Sequence, residues 1–233
     1  MSNEALPERY VAIVDYGMGN LFSVRRACER AGLTALVTSD KNTLLSAVGV
    51  ILPGVGAFGD AMATLSRFDL VAPLKEVAAR GTPLLGICLG MQLLMTESSE
   101  FGNHQGLGLI EGRVVRFERP LGPHGPLKVP QIGWNSIYPP NHSPTASDPW
   151  ARTLLSGIAT GAYMYFVHSH YVCPATTEPL STSAYGHIEF CSALAKDHIT
   201  ACQFHPEKSG PAGLQVYRTF ADLIGSSNEH TTS

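Results

Sequence analysis

Positive charge never gathers in this chain. No basic run is longer than the pair Arg25-Arg26, and 16 lysines and arginines against 19 acidic side chains leave a formal charge of −3. Nucleic acid and anionic membranes are held by clustered basic residues, so both are excluded as partners. Long hydrophobic runs are missing too: Pro53, Gly54, Gly86 and Gln92 interrupt the most apolar stretches before they reach the ~18 residues of a membrane span. The residues before Tyr10 include two glutamates and a proline, unlike the basic-then-apolar order of a secretory leader. Cysteine is scarce and odd in number, five at positions 28, 88, 173, 191 and 202. With no close pairs among them, a disulfide framework is excluded, and reduced thiols in a cytoplasmic protein are expected. Apolar residues are plentiful, at 44% of the chain, which supplies a core and excludes disorder.

At 233 residues one domain is expected, residues 1–225, followed by a disordered polar tail, 226–233. The first half alternates between strand and helix patterns. Strands are expected at Tyr10–Asp15, Thr34–Thr38, Val50–Leu52 and Thr82–Ile87, with helices at Leu21–Ala31, Asn42–Ala47 and a long one at Asp60–Arg80. Strands this apolar are buried on both faces, which implies a mostly parallel sheet flanked by helices, an α/β fold. After Glu111 the pattern becomes hairpin-like, with strands expected at Arg113–Phe117, Tyr163–Tyr171, Ser181–Phe190, Ser192–Lys196 and Ile199–Phe204, adding antiparallel members to the sheet. Residues 119–149 hold eight of the sixteen prolines, so an irregular surface excursion is expected there. A last helix is expected at Leu214–Ile224.

The strongest local signal is Gly86-Ile87-Cys88-Leu89-Gly90, where an apolar strand passes into a helical run at Leu89–Thr96. This is a cysteine version of the strand-to-helix nucleophile elbow, whose flanking glycines make room for a sharp bend. A thiol at a helix N-terminus is biased toward the thiolate, the form that attacks carbonyl carbon. A base is supplied by His205-Pro206-Glu207, just past an apolar strand. A spacing of two puts both side chains on one face of extended chain, and Pro206 restrains His205 to that geometry. The carboxylate can then hold one ring nitrogen while the other serves the thiol.

Two other motifs compete. Gly54-Val55-Gly56-Ala57-Phe58-Gly59 matches the dinucleotide pattern, but it follows the third strand and lacks the acidic strand end of a Rossmann unit. Its alternative use is to offer backbone N–H groups near Cys88 as an oxyanion hole. His168 and His170 alternate on one expected strand and, with Cys202 and His205, suggest zinc. No ligand quartet of familiar spacing exists, so substrate contact or strand packing is the preferred reading and no metal is assigned.

Pro53–Gly56, Gly86–Gln92 and Gln203–Ser209 together resemble the class I, triad-type glutamine amidotransferases, in an order and spacing that cover nearly the whole chain. Within that family, Asp15–Asn20, Gly133–Asn135 and Tyr165–His168 are similar to the glutaminase subunits of imidazole glycerol phosphate synthases. His170 departs mildly from that pattern. The resemblance implies a flavodoxin-like fold, no cofactor, and catalysis by Cys88, His205 and Glu207. It implies an oxyanion hole from the N–H of Leu89 and from the Gly54-Val55 peptide. Gly56, Gln92, Glu100 and Ser169 would hold the amino-acid end of glutamine. The implied partner is a (β/α)-barrel cyclase subunit that receives ammonia in a heterodimer, with Asn20, Trp134, Tyr165 and Lys208 at the seam. Alternatives are a glutaminase serving a different synthase, or a non-catalytic relative with the same fold.

Overall fold

Four tetrapeptides that are wholly apolar or nearly so, Val-Ala-Ile-Val, Gly-Val-Ile-Leu, Leu-Leu-Gly-Ile and Ile-Thr-Ala-Cys, have every residue buried. A strand can bury all its side chains only with packing on both faces. The computed structural model, which describes residues 6–140 and 148–229, places them side by side. They are β1 (Val11–Val14), β3 (Gly49–Leu52), β4 (Leu84–Ile87) and β15 (Ile199–Cys202). With β2 (Ala35–Thr38), β13 (Pro179–Tyr185) and β14 (Ile188–Lys196) they form one sheet in the order β13-β14-β15-β4-β3-β1-β2. The five strands from β15 to β2 are parallel, and β14 and β13 join antiparallel at one edge.

Alternate side chains go to opposite faces, which gives two cores. Ala12, Val14, Val50, Leu52 and Leu84 meet α2 (Lys41–Leu45), α3 (Phe58–Arg67) and α4 (Val71–Ala79) through Leu44, Leu65, Leu74 and Val77. Val11, Ile13, Ile51, Leu85 and Ile87 meet α1 (Leu21–Arg30) and α6 (Gly210–Glu229) through Val24, Cys28, Tyr217 and Phe220. Burying one such leucine or phenylalanine stabilises the fold by roughly 1.5–3 kcal/mol, so the sheet is a rigid base for whatever its strand ends carry.

The structure corrects several expected elements. The long helix over Asp60–Arg80 is two, α3 and α4. Asp69 takes a left-handed φ of 53°, and Leu70 N–H bonds back to the Leu65 carbonyl, so a Schellman-type stop forms with aspartate in the usual glycine position. After Cys88 the helix α5 covers only Leu89–Leu93, and Met95–Ser98 becomes β5. That strand joins a second sheet, β12-β7-β5-β6, with β6 at His104–Gln105, β7 at Ile110–Arg116 and β12 at His170–Pro174. The expected strand Tyr163–Tyr171 is likewise two. Its first part, β11 (Tyr163–His168), pairs with β10 (Gln131–Ser136), and after Ser169 the chain crosses to β7 as β12. The hairpin expected around residue 191 turns instead at Gly186-His187. Within 119–149, β10 and a small hairpin of β8 (Leu121–Gly122) and β9 (Gly125–Pro126) replace much of the irregular excursion, while 141–147 lie outside the described residues. The last helix extends to Glu229, four residues into the expected tail, whose remaining residues, 230–233, are also outside.

Candidate active site

β4 runs into α5 without a linker, and Cys88 stands at the junction with φ 54° and ψ −109°. A non-glycine residue held in that region is strained. The bend survives because neither neighbour two positions away has a side chain. A Cβ on Gly90 would come within 1.8 Å of the Leu52 carbonyl oxygen, and one on Gly86 within 2.9 Å of Leu94 Cδ1. Cys88 N–H donates to the Cys202 carbonyl at 2.8 Å, tying the elbow to the end of β15. The thiol is 5% exposed and faces a cavity of about 280 Å³.

Beyond β15 the chain delivers His205 on extended backbone and then makes one 3₁₀ turn, Pro206–Lys208. His205 Nδ1 and Glu207 Oε1 are 2.9 Å apart, with both side chains almost wholly buried. His205 Nε2 has no hydrogen-bond partner, so this nitrogen is free for a proton. Burial taken alone would push the imidazolium pKa down. Burial is the largest single influence, but the charge of Cys88 and the Glu207 carboxylate together exceed it, and the value rises to about 10. A thiol beside an imidazole that a carboxylate holds is the arrangement of a nucleophile and its proton carrier. Ser209 braces the turn, donating from Oγ to the His205 carbonyl at 2.7 Å and accepting from Tyr165 N–H at 3.0 Å.

The cavity gathers most of the substrate positions expected from sequence: Val55, Gly56, Leu89, Gln92, Glu100 and Ser169 all line it with Cys88. Gly54 lies behind the wall, in contact with Leu89 and Tyr16. Two of these side chains already have protein partners. Gln92 Nε2 donates to the His170 carbonyl at 2.9 Å and to Gln203 Oε1 at 3.2 Å. Glu100 accepts from Phe58 N–H at 2.7 Å and sits 3.2 Å from His170 Nδ1. Burial pushes the Glu100 carboxyl up, but His170, the Phe58 amide and His104 together hold it below its usual range. It is therefore an anion fixed in the wall, with lone pairs still available to a ligand ammonium.

Gln203, for which no role is expected from sequence, has its Nε2 3.7 Å from Cys88 Sγ, completing a buried chain Gln92–Gln203–Cys88. The signal was its position two residues before His205, on the same face of extended chain. His168 and His170 do not share a strand face as expected, because the chain changes sheets at Ser169. His168 packs among Phe117, Phe166 and Phe190, and burial lowers its pKa to about 4. His170 is turned to Glu100. Among the described residues no group of three histidine, cysteine or acidic side chains could hold a metal ion.

The residues expected at a seam lie on the same end of the sheet. Asn20 caps α1 by accepting from Ser23 N–H. Trp134 meets the Tyr165 ring edge-on at 6.0 Å, and Lys208 Nζ lies over that ring at 5.6 Å. Trp134 is 56% exposed, so it is no ordinary core aromatic. A larger cleft, about 590 Å³, lies behind Glu207 between α1 and α6. Cys88 does not line it, so the smaller cavity is where the thiol can meet a substrate.

Comparison with known proteins gives consistent results. The model of the family described as glutamine amidotransferase class-I matches residues 12–223. Imidazole glycerol phosphate synthase subunit HisH of Geobacter sulfurreducens is 44% identical over 215 residues, spanning 91% of this chain and 98% of that protein. The same subunit of Moorella thermoacetica is 47% identical over 217 residues, 93% of this chain and 96% of that one. Among solved structures, PurLQS from Thermotoga maritima aligns with a TM-score of 0.69 at 17% identity, covering 94% of this chain and all of its own. A glutamine amidotransferase from the same organism aligns at 0.57 and 14%, covering 96% of this chain and 86% of that one. These two likenesses carry the fold alone.

Proposed function

The chain belongs to the class-I glutamine amidotransferases, and from that membership we propose that it is the glutaminase subunit of an imidazole glycerol phosphate synthase, working in histidine biosynthesis. One observation carries the chemistry: an elbow thiol facing an enclosed cavity, beside an imidazole held by a carboxylate at 2.9 Å. The subfamily follows from 44–47% identity to curated HisH subunits over more than nine-tenths of the chain.

The residues supply the steps in order. The Cys88 thiolate attacks the side-chain amide carbon of glutamine, and the C=O pair moves onto oxygen. The N–H of Leu89 and a second N–H from the Gly54-Val55 peptide receive that charge. As the C–N bond breaks, His205 gives its proton to the leaving nitrogen, releasing ammonia and a glutamyl thioester. Water then attacks the thioester while His205 takes its proton, and glutamate leaves with the thiolate restored. Glu207 keeps the imidazole oriented and stabilises its protonated form. Gly56, Gln92, Glu100 and Ser169 shape the end of the cavity that takes the amino-acid group, with the Glu100 anion facing the substrate ammonium. The chemistry uses thiol, imidazole and water, without a cofactor.

The chain acts as one glutaminase domain in the cytoplasm, and among the described residues no helix is long and apolar enough to cross a membrane. Ammonia passes to a (β/α)-barrel cyclase subunit docked over Asn20, Trp134, Tyr165 and Lys208, because ammonia freed into bulk water would be protonated and lost as a nucleophile. The test is Cys88→Ala in complex with the cyclase. Glutamine-dependent synthesis of imidazole glycerol phosphate falls at least ~10³-fold, while synthesis from ammonium salt persists. Loss of both activities from a folded complex, or survival of both, overturns the assignment.

A further inference from the structure

Tyr16 lies two residues past the end of β1, and its ring is fully buried. Its hydroxyl donates to the Pro53 carbonyl at 2.9 Å, across 37 residues of sequence. Pro53 opens the glycine-containing segment beside the nucleophile, and that segment is shaped around the first β–α turn. A Cβ on Gly54 would lie 2.3 Å from the Tyr16 oxygen, and one on Gly56 would lie 2.6 Å from Met18 Cε. The spaces opened by these two glycines are thus occupied by side chains from a distant turn. The same Gly54 Cβ would also sit 3.0 Å from Leu89 Cβ, the residue next to the thiol. Burial, and after it the charge of Cys88, raises the Tyr16 pKa, so the phenol remains a donor across the working pH range and within electrostatic reach of Cys88.

An oxyanion donor helps only if it is held about 2.7–3.1 Å from where the charge develops. The Gly54-Val55 peptide can swing its N–H by opposed rotations about the Gly54 ψ and the Val55 φ. That motion stays local only if the preceding carbonyl does not follow it. We propose that Tyr16 is a positioning residue whose hydroxyl anchors the Pro53 carbonyl, confining rearrangement of the segment to the Gly54-Val55 peptide and letting its N–H reach the oxygen on which charge develops. The catalytic half of this inference rests on the glutaminase reading above; the anchoring half does not.

Tyr16→Phe tests both, because it removes one oxygen and keeps the ring. In the free chain, hydrogen exchange of the amides at 54–56 accelerates about tenfold, the scale of one lost buried hydrogen bond, while amides of β1 and β4 are unchanged. In the complex with the cognate cyclase and imidazole glycerol phosphate, kcat for glutamine hydrolysis falls about tenfold with KM within about twofold. A residue that only filled the core would shift exchange throughout the sheet and alter kcat and KM together, and that result overturns the proposal. Unchanged exchange at 54–56 overturns it equally. If the parent complex itself fails to hydrolyse glutamine, the glutaminase reading and the catalytic half fall together, and exchange alone then decides the anchor.

Discussion

The protonation of His205 offers a direct measure of how the site is wired. An ordinary imidazole has a pKa of 6.5, and this one is raised to about 10 against the opposing effect of its own burial. A displacement of that size corresponds to roughly 5 kcal/mol in favour of the protonated ring. After burial, the charge of Cys88 is the leading influence, with Glu207 behind it. Replacing Cys88 by alanine removes the leading raising influence and leaves the 2.9 Å contact with Glu207. The midpoint should therefore fall by at least ~1 unit, the lower end of what a neighbouring opposite charge supplies. Ring-proton NMR titration of parent and Cys88→Ala proteins reads this, with the resonance assigned by its loss in His205→Asn. Linkage gives a second readout. Because the folded pKa lies above the unfolded one, the contribution to stability is complete below about pH 6.5 and disappears as pH rises through about 10. The urea midpoint of the parent should decline over that window, and that of Cys88→Ala less steeply. Equal midpoints in the two NMR titrations would refute the electrostatic coupling of His205 to Cys88.

Gly90→Ala would put a methyl group 1.8 Å from the Leu52 carbonyl oxygen; it should cost about 3 kcal/mol or more in thermal unfolding experiments, and a stable, fully active variant would contradict the packing of the elbow. Trp134→Ala should weaken assembly with the cyclase about 30-fold by calorimetry, as an interface anchor does, while leaving the unfolding temperature of the free chain unchanged because the indole is largely exposed. Tyr165→Ala should leave assembly mostly intact but raise the ratio of glutamate released to imidazole glycerol phosphate formed, measured at saturating cyclase; a ratio near one would remove Tyr165 from the seal.

What could be read in advance follows from how strongly local sequence fixes geometry. β1, β3 and β4 are apolar throughout, and only a sheet covered on both faces buries such strands. The elbow was legible because a bend that tight admits only glycine two residues either side of Cys88. The second sheet was legible only in part, as the strand expected at Arg113–Phe117. β7 carries Glu111, Arg113 and Arg116 and covers the core with one face only, while β6 has two residues. β10 inverts the usual alternation, burying Gln131 and exposing Ile132 and Trp134, so no periodicity marks it among the prolines. The break at Asp69 depends on aspartate adopting a conformation more often given to glycine. Tyr16, and the contact of Gln203 with Cys88, were hidden for another reason. Each residue acts through a contact across a long stretch of chain, Tyr16 with Pro53 and Gln203 with Cys88, and composition carries no trace of such pairings.

The ribbon of β10 and β11 has a consequence for how the cell must make this protein. Ile132, Trp134 and Tyr163 stand 64%, 56% and 64% exposed on it. Soluble monomers seldom leave apolar groups this size clustered in water, and such patches invite promiscuous sticking. A molecule produced ahead of its cyclase would carry that liability from the moment it folds, and chaperones and proteases would compete for it. Under the proposed docking of the cyclase over Trp134, balanced production of the two chains would then act as a form of quality control, the partner covering what the free chain exposes.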